Sequence, residues 1–258
     1  VNSTLTRQLF VTASFVFCVV GTLFGIGVIG TRVEESSGGA LAADATLLAP
    51  AVRAFSIWSV IYLGLLAYTV WQWLPIAQRS ARTRDIWWLA GVSMILNAVW
   101  LLVTQVGWIW PSVGVIAVLV VVLGRLVERL TRERASSTAE LVVVDGTFGL
   151  YLGWVSIATA ANITAALVQS GVSFGSLDPV VAAIVLAVAA GIGVLLAVRL
   201  GGRFAVAGAL SWGLVWIAVG RLTDSPASAL TGWAAVAAAA IVLGSAAWIR
   251  FGRRAALS

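Results

Sequence analysis

The sequence predicts an all-α membrane protein of about eight transmembrane helices, and three observations carry that reading. The 258-residue chain is 61% hydrophobic and only 10% charged, where a soluble domain carries about 25% charged residues. Its apolar residues fall into eight stretches, each near the ~20 residues that a helix needs to cross a hydrocarbon core. Its sixteen basic residues, all Arg, gather in alternate gaps between those stretches.

In chain order the stretches run at about Leu9–Ile29, Phe55–Leu74, Ile86–Val106, Val113–Leu130, Thr147–Val168, Val180–Leu200, Phe204–Arg221 and Gly232–Arg250. Turn and charge signals fill the gaps between them: Glu34–Gly39, Arg79–Asp85, Trp110–Pro111, Arg132–Ser137, Asp178–Pro179, Gly201–Gly202 and Asp224–Pro226. Asp178 before Pro179 reads as an N-cap with proline at the first helical position, and Thr83–Asp85 as a weaker start of the same kind. The first stretch follows a single Arg7 and has no small-x-small cleavage site before the acidic gap, so it is expected to remain as an uncleaved helix.

Arginine orients the bundle. With the N-terminus cytoplasmic, thirteen arginines fall inside and only Arg32, Arg53 and Arg221 outside, which satisfies the positive-inside rule at every loop. An odd number of spans breaks the pattern, so both termini are expected to be cytoplasmic. The net charge of +6 therefore reads as orientation against membrane lipids, and no nucleic-acid partner is expected. Arginine without lysine, in a chain rich in Ala and Gly, points to a high-GC bacterium and its plasma membrane, with Val1 read from a GTG start. There is no His, one Cys (Cys18) and one Met, which excludes His acid–base catalysis, His/Cys metal sites, His-ligated haem and an intrachain disulfide framework.

The 13 tryptophans are placed in two ways. Trp71, Trp73, Trp87, Trp88, Trp108, Trp110, Trp233 and Trp248 lie at span ends, where an aromatic belt explains them. Trp58, Trp100, Trp154, Trp212 and Trp216 lie deeper, where an indole N–H needs an acceptor, so these five are pocket candidates. Three helical stripes gather them. Phe55, Trp58 and Tyr62 fall at i, i+3 and i+7 of the second span, and Asn97 and Trp100 at i and i+3 of the third. Tyr151, Trp154, Ala158 and Asn162 run at i, i+3, i+7 and i+11 along the fifth. Aromatic faces interleaved with amides suit a pocket with flat apolar walls and a few hydrogen-bonding points.

In these residues the chain resembles the TspO/MBR family, the tryptophan-rich sensory or translocator proteins. The family's second helix carries a phenylalanine and then a Trp-x-x-x-Tyr-like step, matched by Phe55, Trp58 and Tyr62. Its third has an asparagine before a run beginning with tryptophan, matched by Asn97 and Trp100. Its fifth reads Pro-Tyr-x-x-Trp-x-x-Phe-Ala-x-x-x-Asn, matched by Tyr151, Trp154, Ala158 and Asn162. Leu150 stands for the family's proline and Ile157 for its phenylalanine. The family's Trp- and Pro-rich lid before the second helix is replaced by Leu48–Arg53.

The resemblance covers roughly residues 5–170. It implies a TspO-like five-helix unit over residues 1–170, with three additional transmembrane helices over 171–258. It also implies an intramembrane aromatic pocket for a flat hydrophobic ligand, a porphyrin or other tetrapyrrole or a sterol-like lipid, serving sensing or transport. Family members have been proposed to promote light-dependent porphyrin breakdown through pocket tryptophans, and Trp58 and Trp154 are retained for such a role. A small-molecule permease and a membrane subunit of a larger complex are the alternatives.

Other features are weaker signals. Gly21 with Gly25, and Gly149 with Gly153, allow close helix approach, either within the chain or in a homodimer. Gly25, Gly27 and Gly30 mimic a dinucleotide fingerprint but end an apolar span and follow no strand. No carboxylate falls near mid-membrane, which argues against ion coupling, and Asp145 reads as a helix-start charge. No nucleophile–base pair, phosphate loop or metal cluster is present, so no catalytic residue and no metal ligand is assigned. Trp212 and Trp216, at i and i+4, read as packing or as part of the pocket.

Overall fold

The structure, a computed structural model, describes residues 2–255. The chain forms α1 (Asn2–Gly25), α2 (Ile57–Trp71), α3 (Ala81–Gln105), α4 (Ile109–Arg132), α5 (Thr147–Gln169), α6 (Asp178–Leu200), α7 (Phe204–Thr223) and α8 (Ala229–Ala255), with short helical turns between them and no strand among the described residues. All eight are long and apolar enough to cross a membrane, so the expected fold class and span number hold.

Several helix ends differ from the expected ones. α1 stops at Gly25 because the chain turns back with positive φ at Gly27 and Gly30, a conformation that favours glycine. α3 starts at Ala81, where the Ser80 hydroxyl caps the Thr83 N–H at 3.3 Å, so Thr83–Asp85 lies inside the helix. Asp178 is the first residue of α6 and not its cap. Its carboxylate reaches back to the Phe174 N–H at 2.7 Å and the Ser173 hydroxyl at 3.2 Å. The fifth span begins early, through a helical turn at Thr138–Glu140 and a π-helical turn at Leu141–Gly146.

Small residues set the backbone distances. In lipid no hydrophobic force draws helices together, so association rests on close van der Waals contact. A Cβ placed on Gly21 of α1 would lie 2.7 Å from the Ala98 Cβ of α3, and one on Gly149 of α5 would lie 2.7 Å from the Ala205 Cβ of α7. Gly153 meets the Val206 carbonyl and Ala209 of α7 even more closely. Gly213 of α7 abuts Ile157, and Gly193 of α6 abuts Val242 of α8. Both glycine pairs singled out in the sequence are thus used in seams within the chain. Close packing runs from α1 to α3, α4, α5, α7, α8 and α6, while α2 touches α1 and α5 more sparsely. Large rings fill the gap: Tyr68 of α2 and Phe148 of α5, both wholly buried, pack edge to face with centroids 4.9 Å apart.

At the arginine-rich end, three buried charges and one half-buried arginine are gathered together. Arg82 of α3 pairs with Glu140 at 3.3 Å and with Asp145 at 2.7 Å, and Arg203, just before α7, pairs with the same Asp145 oxygen. Both guanidiniums also donate to the Leu130 carbonyl at the end of α4, and Arg203 donates to Thr131. Glu140 accepts from the Ser136 N–H at 2.7 Å and from the Ser80 hydroxyl at 3.0 Å. Asp145 is therefore more than a helix-start charge, because it joins the ends of α3, α4, α5 and α7. The pairs Arg125–Glu128 and Arg129–Asp85 are far more exposed and contribute little.

The Gly153 seam yields a testable consequence. Gly153→Ala forces its Cβ against a main-chain carbonyl that has no room to yield, and is expected to destabilise the protein by about 1–3 kcal/mol. Gly114→Ala meets open space and is expected to be neutral or stabilising by up to ~1 kcal/mol from helix propensity. Thermal unfolding in detergent separates the two; equal melting points for Gly153→Ala and the parent would show that the seam is not the tight contact described.

Candidate functional site

α2, α3 and α5 bring six of the nine residues of the three stripes into one cluster. The Trp58 ring stacks on Tyr62, centroids 5.2 Å apart and planes 19° apart, and meets Tyr151 and Trp154 edge to face at 5.9 and 6.3 Å. Phe55, in the helical turn Val52–Ser56 that leads into α2, meets Trp154 edge to face at 5.8 Å. The Asn97 amide of α3 donates to the Tyr62 hydroxyl at 3.0 Å and to the Cys18 sulfur of α1 at 3.4 Å. Tyr151 donates from its hydroxyl to the Ser93 carbonyl of α3 at 3.2 Å.

Trp100 and Asn162 form a second, adjacent network. The Trp100 indole donates to the Asn162 side-chain oxygen at 2.8 Å, and the Asn162 amide donates to the Ser112 hydroxyl of α4 at 3.1 Å. Asn162 thus ties α5 to α3 and α4, and Trp100 is drawn to it and away from the ring cluster. Ala158, half-buried, packs against the core between the two groups.

The cluster is closed on its inner side, at Tyr151 and Trp154, while Phe55, Trp58 and Tyr62 are half-buried. Tyr151 is 0% and Trp154 1% exposed, so no space the size of a water adjoins either ring. A drug-sized ligand site measures about 300–1,000 Å³, and α2 must separate from α5 to make one here. The Trp154 indole N–H is buried and has no acceptor, as is also true of the Trp71 and Trp216 indoles outside the cluster. An unpaired buried donor costs about 1–3 kcal/mol, and the other polar groups around it, Tyr62, Asn97 and Tyr151, are satisfied. Two small crevices lie elsewhere. One of about 10 Å³, room for about one water, lies beside Arg203 between α6, α7 and α8, and the other lies where Leu48 meets α5, α6 and α7.

Residues 26–56 cover the opposite end as a lid, with Leu48, Ala49 and Pro50 buried on its inner side. Its first half is held by α3 and α5. Thr31 and Gln105 exchange hydrogen bonds, and Ser37 donates to the Thr104 carbonyl at 3.0 Å while accepting from the Gln169 amide at 2.8 Å. Its second half is held by α7. Arg221, 1% exposed, donates to the carbonyls of Ala43 and Thr46, both at 3.0 Å. The Ala51 N–H donates to the Trp216 carbonyl at 3.1 Å, and the Trp212 indole donates to the Ala54 carbonyl at 2.9 Å.

The tryptophans sort differently from the sequence expectation in three places. Trp73, Trp88, Trp108, Trp110, Trp233 and Trp248 are exposed, as belt residues must be. Trp71 is buried at the foot of α2, and Trp87 is half-buried against Phe10 of α1 at 5.5 Å. Trp212 has an exposed flank and uses its N–H on the lid, outside the ring cluster. Cys18, Ser93, Ser112 and Arg221 were missed by the sequence reading. Each is a single small or charged residue whose partner lies on another helix or on the lid, and no spacing within one helix marks it.

An eight-helix membrane protein with an aromatic–amide cluster between its second, third and fifth helices, closed by a loop, is the class that fold and site define. The chain belongs to the TSPO-like protein family: the model of that family matches residues 8–248, through the last three helices as well as the first five. No curated protein and no solved structure matches the chain.

Proposed function

We propose that the ring cluster of Phe55, Trp58, Tyr62, Tyr151 and Trp154 binds a flat hydrophobic ligand of the tetrapyrrole or sterol-like class. The observation that carries this reading is the Trp154 indole, buried against the Phe55 and Trp58 rings with its N–H unpaired. A ligand with a hydrogen-bond acceptor satisfies that donor, and its flat face replaces ring–ring contacts that the closed cluster already makes. Asn97, Tyr62 and Tyr151 supply orienting hydrogen bonds, while Trp100, Ala158 and Asn162 form the wall nearest the lid. The ligand class rests on family membership and the absence of charge among these residues.

A second reading, passage of the ligand across the membrane for transport or sensing, is favoured by closures of different chemistry at the two ends. Hydrogen bonds from Arg221 to main-chain carbonyls hold the lid at one, and ion pairs hold the other. We place the arginine-rich end, with both termini, on the cytoplasmic side of a bacterial plasma membrane, from the arginine distribution. Reporter fusions in the Glu34–Glu35 loop and after Arg254 are expected to fall on opposite sides of the membrane; a shared side contradicts the orientation.

Trp154→Ala is expected to weaken porphyrin binding by about tenfold or more, from lost ring contact and lost burial. Trp248, 81% exposed at a span end, is the matched control, and Trp248→Ala is expected to bind like the parent. The measurement is a titration followed by the visible absorption of the porphyrin. Unchanged affinity in Trp154→Ala places the ligand elsewhere.

A further inference from the structure

We infer that α7 latches the lid over the ring cluster, with Arg221 and Trp212 as positioning residues that control how fast a ligand enters and leaves. The inference rests on the proposed binding site, but its structural half stands on the lid alone. Three observations carry it.

The first is the arginine itself. Arg221 is almost wholly buried near the end of a membrane helix, and among the described residues no carboxylate lies within ion-pair distance of it. Its guanidinium spends its hydrogen bonds on two main-chain carbonyls of the lid, Ala43 and Thr46. A buried cation is expensive to desolvate, and these carbonyls, together with the nearby charges of Asp44 and Asp224, offset that cost. Charge-assisted bonds are the stronger kind.

The second is continuity from α7 to the rings. Below Arg221, α7 accepts the Ala51 N–H on the Trp216 carbonyl and donates the Trp212 indole to the Ala54 carbonyl. Ala54 directly precedes Phe55, whose ring touches Trp154. Displacing this stretch from α7 moves the first turn of α2 and with it Phe55 and Trp58. α2 is also the sparsely packed helix of the bundle, so it is the wall best able to move.

The third is the contrast with the rest of the lid. The bonds of Thr31 to Gln105 lie exposed to solvent, where water competes for them, while the α7 contacts at Thr46 and Arg221 are buried. The first half keeps one buried bond, Ser37 to the Thr104 carbonyl, and releasing the second half requires breaking the α7 contacts in particular. The second half is held by a helix that lies outside the five-helix unit.

The test introduces a reporter cysteine at Leu48, 2% exposed on the inner side of the lid, and follows its labelling by a charged maleimide; Cys18 is buried and supplies the background rate. Adding Arg221→Gln, which removes the charge, is expected to accelerate labelling by about tenfold or more. Trp212→Phe keeps the ring and removes one hydrogen bond, and is expected to give a smaller rise of about threefold to tenfold. It also serves if Arg221→Gln fails to fold. Without the reporter cysteine, each variant is expected to speed porphyrin association and dissociation together, leaving Kd within about threefold of the parent, as a gate does and a lost wall contact does not. Unchanged labelling in the folded variants overturns the latch. Faster labelling with unchanged porphyrin rates also overturns it as a gate. Faster labelling in a protein that binds no porphyrin at all leaves the lid contact standing and removes the binding site.

Discussion

Three buried charges, Arg82, Glu140 and Asp145, with the half-buried Arg203, fix the frame on which the rest is built. Each acid faces a guanidinium, and removing any one leaves a buried charge uncompensated, at about 3–5 kcal/mol. The network also sets the phase of α5. Asp145 sits in a π turn, and the extra residue of such a turn rotates everything after it by about 100° relative to an uninterrupted α-helix. That rotation decides that Tyr151, Trp154 and Asn162 face inward. Because Arg203 grips the same carboxylate, the start of α7 is set from the same point.

From that anchor the bundle divides into tight and loose parts. α5 and α7 meet along glycine and alanine, with Gly149 and Gly153 bringing main chains into contact, so this pair is tightly joined. α2 meets its neighbours through rings, and a ring contact can be exchanged for another ring. A flat ligand is such a ring. Tight seams place the site and its lid, and the loose helix supplies the way in. The unpaired Trp154 N–H lies where these two kinds of packing meet.

The spans were legible in the sequence because hydropathy and arginine placement are properties of the chain alone. The stripes on α2, α3 and α5 were legible because 3.6-residue periodicity is local. What could not be read is how the stripes share partners. Asn97 and Asn162 look equivalent in sequence, yet Asn97 joins the ring cluster while Asn162 is engaged by Trp100 and Ser112. The charged network joins residues of α3, α5 and the turn before α7 that no motif links. Trp71 and Trp87 stand at belt depth but face protein, because depth is written in the sequence and azimuth around the bundle is not. The glycine pairs showed that a close approach exists, and only the fold shows with which helix.

The central claim is that these rings form a discrete site and not merely a greasy interior. Equilibrium titration of the detergent-purified parent protein with a porphyrin, against protein-free micelles, tests it most directly. The account predicts a saturable spectral change that ends at one porphyrin per chain. A change that grows without saturation, in step with the micelles alone, would contradict it.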